Sequence, residues 1–93
     1  MNDNEQPPVM IITGRVRRRK GGDSEGVHVL LTAPDDDSAV RSALNALARE
    51  GYAEVELDRI GEMDSVPDDE PHLSAFQGAL EGEVSIVMFE EPF

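Results

Sequence analysis

The stretch VHVLLTAPDDDSAVRSALNALAREGYAEVELDRI, residues 27–60, decides how this chain folds. Its first six residues place apolar side chains on both sides of an extended backbone, because Val27, Val29 and Leu31 alternate with His28, Leu30 and Thr32. A strand of that kind belongs inside a sheet. Pro34 and three aspartates then announce a helix, since Asp35 or Asp36 can accept from the free amides of the first turn and the other carboxylates face its positive dipole end. Val40, Ala43, Leu44 and Leu47 follow the i, i+3, i+4, i+7 spacing of an apolar helix face, with Arg41, Ser42, Asn45 and Arg49 on the polar side. Gly51 stops the helix. After it, Ala53, Val55 and Leu57 alternate with Glu54, Glu56 and Asp58, the pattern of a half-buried strand over residues 52–60.

Upstream, residues 9–19 (VMIITGRVRRR) read as a strand with Met10, Ile12 and Val16 on one side and Ile11, Thr13, Arg15, Arg17 and Arg19 on the other. Gly14 marks a bulge or a close backbone approach. The glycine-rich turn KGGDSEG, residues 20–26, joins this strand to the next as an antiparallel hairpin. Residues 1–8 offer nothing to bury and are expected to form a loose arm before a single domain over 9–93.

Downstream, the acidic loop GEMDSVPDDEP leads to a short helix with Leu73, Phe76, Ala79 and Leu80 on its apolar side, ended by Gly82. The last strand, residues 83–90, is apolar on both faces through Val84, Ile86 and Met88 and through Val87 and Phe89. The expected fold is therefore α+β in the order ββαβαβ, a two-layer sandwich with two helices on one face of a four-stranded sheet. In size and layering it resembles the ferredoxin-like class, with the extra strand placed first.

The chain has 93 residues, room for one core. Twenty acidic residues against eight basic ones give a formal charge of −12, which favours a basic partner over an acidic lipid surface or a bare phosphate backbone. Cysteine is absent, which removes disulfides, thiolate metal sites and a cysteine nucleophile together. The acidic start MNDNEQPP lacks the basic and apolar regions of a secretory signal, and no apolar run approaches the ~18 residues of a membrane helix, so a cytoplasmic location and no membrane partner are expected.

Five of the eight basic residues are Arg15, Arg17, Arg18, Arg19 and Lys20, a candidate contact for an anion or an acidic partner segment. A plainer account is that these arginines protect an edge strand or sit beside Glu54, Glu56 and Asp58 on the same sheet face. Nucleic acid is disfavoured, because the patch has no interleaved aromatic residues. Asp35, Asp36 and Asp37 lack the alternating ligands, glycine and distal glutamate of a calcium loop and are read as helix capping. Asp64, Asp68, Asp69 and Glu70 form a candidate acidic docking loop, or a solvated loop with a helix start at its end. His28 and His72 have no zinc spacing and are read as structural. No nucleophile elbow or phosphate loop is present, so no catalytic residue, metal or cofactor is assigned.

With helices on one face only, Ile11, Leu30, Val87 and Phe89 would be left bare, and they form the candidate dimer interface. The expectation from sequence is a small non-enzymatic interaction or regulatory domain, homodimeric through its sheet. The alternative is a domain or weak enzyme that binds a small molecule or anionic ligand in a cleft between the arginine strand and the loop from Asp64 to Glu70.

Overall fold

The computed structural model describes residues 8–89. Except for Pro8, the expected arm lies outside them. The chain runs through β1 (Val9–Arg17), β2 (Ser24–Thr32), α1 (Asp36–Arg49), β3 (Glu54–Glu62), α2 (His72–Leu80) and β4 (Ser85–Phe89). The strands form one open antiparallel sheet in the order β3-β1-β2-β4, an α+β class. The hairpin of β1 and β2 occupies the centre, where the two-sided apolar pattern of β2 places it. β2 and β3 both run antiparallel to β1, so α1 joins two parallel strands across it.

α1 begins where local chemistry puts it. Asp35 is the N-cap, and its carboxylate accepts the Ser38 amide at 2.8 Å. That bond, first among several causes, holds the Asp35 carboxyl below its ordinary value. The helix turns out of its axis at Gly51, whose φ of +93° suits only a residue without Cβ. The buried stripe is Ala39, Ala43 and Leu47; Leu44, expected inside, is 41% exposed. Spacing alone fits either stripe, and the small alanines let the helix approach the sheet.

The two helices lie on opposite faces of the sheet, which corrects the expected two-layer arrangement. On one face, Met10, Ile12, Val16, Val27, Val29 and Leu31 pack under α1. On the other, Val9, Leu30 and Val87 pack under Ala75, Phe76 and Ala79 of α2. The reason is in β2 itself. Its side chains are apolar up and down, and helices on one side only would leave Leu30 in water, where burying a leucine is worth about 1.5–3 kcal/mol. The ferredoxin-like layering, with both helices together, does not carry over. The helices are also offset: α1 lies over β1, β2 and β3, whereas α2 lies mainly over β2 and β4. Leu80, expected on the apolar side of α2, is 48% exposed.

β3 carries a bulge. Leu57 pairs with Gly14 and Arg59 with Thr13, leaving Asp58 as an extra residue. The bulge shifts the alternation, so that Leu57 and Ile60, three apart, both pack on the α1 face. Gly14 makes it possible: a Cβ there would lie 2.9 Å from Leu57 Cα and closer still to the Glu56 carbonyl oxygen.

Candidate functional site

The two edges of the sheet differ. β3 is charged along its length (EVELDRIGE), interrupted by the Asp58 bulge, and has its inner side taken up by all of β1. The Ala53 amide donates to the Arg17 carbonyl at 2.9 Å and the Met63 amide to the Val9 carbonyl at 2.8 Å, extending that pairing beyond both ends. Charge and a bulge are the means by which proteins keep edge strands from pairing with others. β4 has neither. Its five residues, SIVMF, carry no charge, no proline and no register shift, and they pair with β2 alone, from Ser85 opposite Leu30 to Phe89 opposite Gly26. Alternate backbone groups of an edge strand point away from its neighbour, and among the described residues no strand meets them.

Grooves border that free edge on both faces of the sheet. On the α1 side, a groove of about 600 Å³ runs between Asn45, Ala46 and Arg49 of the helix, with its cap Glu50, and Val84 and Ile86. On the α2 side, one of about 480 Å³ runs between Pro71, Ser74 and Ala75 and the residues from Glu83 to Met88. The offset of the helices produces both, since neither caps the outer side of β4 completely. Ile86 and Met88 stay half-buried, and Val84 is 37% exposed. An extended segment laid along β4 would satisfy backbone groups and drop alternate side chains over the two grooves.

The basic residues do not make one patch. Arg15 pairs in register with Glu56, and Arg17 with Glu54. The Arg17 guanidinium bonds Glu54 Oε1 at 3.3 Å and the Gly22 carbonyl at 3.0 Å. Arg18 lies over the Tyr52 ring, 4.8 Å from its centroid, and donates to the Tyr52 hydroxyl at 3.4 Å. That hydroxyl in turn donates to Met88 Sδ. Arg19 and Lys20 are exposed at the hairpin turn. The cleft of about 450 Å³ that holds Arg15 and Arg17 also holds Glu54 and Glu56, so its cations face carboxylates of their own chain.

The acidic loop does not border that cleft. It leaves β3 where Met63 bonds Val9, whereas Arg17 lies at the other end of β1, about 26 Å away at ~3.3 Å per residue. Asp64, Asp68 and Asp69 are exposed. Glu70 accepts the Ser74 amide at 3.0 Å and the Ser74 hydroxyl at 2.8 Å, fastening the first turn of α2. The composite cleft expected between arginines and acidic loop is absent from the described residues.

The candidate dimer residues are also placed differently from expectation. Leu30 and Val87 are covered by α2, at 0% and 7% exposure, and Ile11 packs partly buried beside them. The side chain of Phe89 lies outside what is described. At Ile11, Leu30 and Val87, the apolar patch expected on this sheet face is thus packed against α2 rather than bare.

Sequence reasoning missed one pairing outright. His28 Nδ1 and His72 Nε2 lie 2.9 Å apart, with the ring planes at 60°. Burial and, after it, the neighbouring His72 push the His28 imidazole below its ordinary value. The signal was the shared location of two histidines at the α2-facing side, legible only once α2 is placed on that face. Among the described residues no three histidine, aspartate or glutamate side chains converge to hold a metal, and no helix is long and apolar enough to cross a membrane.

Comparison with known families, curated proteins and solved structures finds no match for this chain. What the chain does must therefore be argued from its own surfaces.

Proposed function

We propose that this domain is a small protein-interaction module that receives an extended segment of a partner along the outer edge of β4. The observation that supports the reading is the contrast between the two sheet edges: among the described residues both are unpaired on their outer sides, but β3 is charged and bulged whereas β4 is uncharged and regular. Strand addition at such an edge draws affinity from backbone bonds and selectivity from the flanking grooves. A sheet-face homodimer loses its support, because Leu30 and Val87 are already enclosed by α2. Ligand binding between Arg15 and Arg17 is disfavoured by Glu54 and Glu56 in the same cleft.

The test is binding of a panel of extended peptides, followed by fluorescence anisotropy, to the wild-type domain and to two variants. Ser85→Lys puts a cation on β4 beside Gly78 of α2, with the fold of the variant checked by circular dichroism, and Glu56→Lys changes charge on the β3 edge. The reading predicts peptides that bind the wild type and Glu56→Lys alike and lose most affinity for Ser85→Lys. Equal binding by all three, or selective loss in Glu56→Lys, would refute it.

A further inference from the structure

Resting on the β4-edge reading, we infer that the segment received there carries basic residues where it passes Glu81 and Glu83, and that it belongs to a different protein rather than a second copy of this chain. The inference comes from the charges framing the strand. Glu81 and Glu83 lie exposed immediately before β4, and Glu83 lines both grooves. Glu50 adds a carboxylate on the α1 side, where Arg49 is the single cation of the lining. The five residues of β4 are uncharged, so an arriving strand meets a neutral stretch with carboxylates beside its Ser85 end.

Self-pairing meets an electrostatic obstacle. Each copy carries a formal charge of −12 and presents Glu81 and Glu83 beside the edge, so two copies repel as they approach. A segment with lysine or arginine where it passes Glu81 and Glu83 turns that repulsion into attraction, speeding encounter and setting register. The apolar lining of the grooves, Ala46 and Ile86 on one face and Ala75 and Val87 on the other, suits alternating β-branched side chains in its middle.

Two synthetic peptides test this, KKVTVTVKK and EEVTVTVEE, titrated into the full-length protein and into the Glu81→Lys/Glu83→Lys variant. Both altered side chains are exposed, so the variant keeps the fold, checked by its circular dichroism. The lysine-ended peptide is expected to bind the wild type at least tenfold more tightly, to weaken as salt rises, and to lose that advantage in the variant. Equal affinities for the two peptides, with binding still blocked by Ser85→Lys, would overturn the charge assignment while leaving the edge as the docking site. Failure of both peptides to bind would overturn the edge reading as well. Sedimentation showing a dimer that Ser85→Lys dissolves would assign the edge to a second copy and end the inference.

Discussion

His28 Nδ1 sits 2.9 Å from His72 Nε2, and this contact ties the middle of β2 to the first residue of α2. It is a hydrogen bond only while one ring nitrogen carries a proton and the other does not. Doubly protonated, the pair becomes two adjacent cations.

Stability should therefore fall on mild acidification. The folded state lowers the His28 pKa, so as pH drops through about 6.5, the ordinary histidine value, the unfolded chain takes up the proton first. The contribution is fully present above that value, shrinks as pH falls below it, and levels off once pH passes beneath the folded value. Urea midpoints measured from about pH 7.5 to about pH 5.5, above the main carboxylate range, should decline more steeply for the wild type than for His28→Gln. Parallel declines would show that the pair is not responsible.

The β3 bulge should depend on Gly14. A methyl group at this position runs into the backbone of Glu56 and Leu57, which cannot move aside as a side-chain tip would. Gly14→Ala is expected to cost at least the ~1–3 kcal/mol usual for overpacking. Chemical denaturation that shows no loss would mean that the strands separate there without penalty.

The α1 register predicts an asymmetry between two leucines three residues apart. Leu47 is fully buried, and Leu47→Ala should cost about 2–5 kcal/mol. Leu44 is 41% exposed, and Leu44→Ala should change stability by only about 0.5 kcal/mol. Comparable losses at both sites would contradict the helix orientation.

Arg17 and Glu54 offer a smaller effect. Their side chains remain more than a third exposed, so a double-mutant cycle between Arg17→Ala and Glu54→Ala should give a coupling of about 0.2–1 kcal/mol that shrinks as salt is added. A larger, salt-independent coupling would indicate a tighter pair than the 3.3 Å contact implies.

These residues also show what the sequence could convey. The helices, the strands and the cap at Asp35 were legible because each rests on chemistry within a few residues: alternation, 3.6-residue spacing, an acceptor before a free amide, a glycine at positive φ. The side chosen by α2 was not. It depends on Leu30 and Val87 needing cover, and that need became decisive only with β2 and β4 paired. Strict alternation put Leu57 inward and Ile60 outward; the insertion at Asp58 brought both inward, and Gly14, on another strand, permits it. The candidate site was least legible of all. The arginines stood out as a cluster in sequence, yet register sets Arg15 and Arg17 against Glu56 and Glu54, while Arg18 lies on Tyr52 and Arg19 is exposed at the turn. An edge, by contrast, is a property of strand order, which no single segment encodes.

The central claim is that β4 is the docking edge and β3 is not. Amide hydrogen exchange, read residue by residue with and without saturating KKVTVTVKK, tests it most directly. New protection should be confined to alternate amides of Ser85–Phe89, while Glu54–Glu62 exchanges as before. Protection gained along Glu54–Glu62, or a bound peptide that leaves Ser85–Phe89 unchanged, would contradict it.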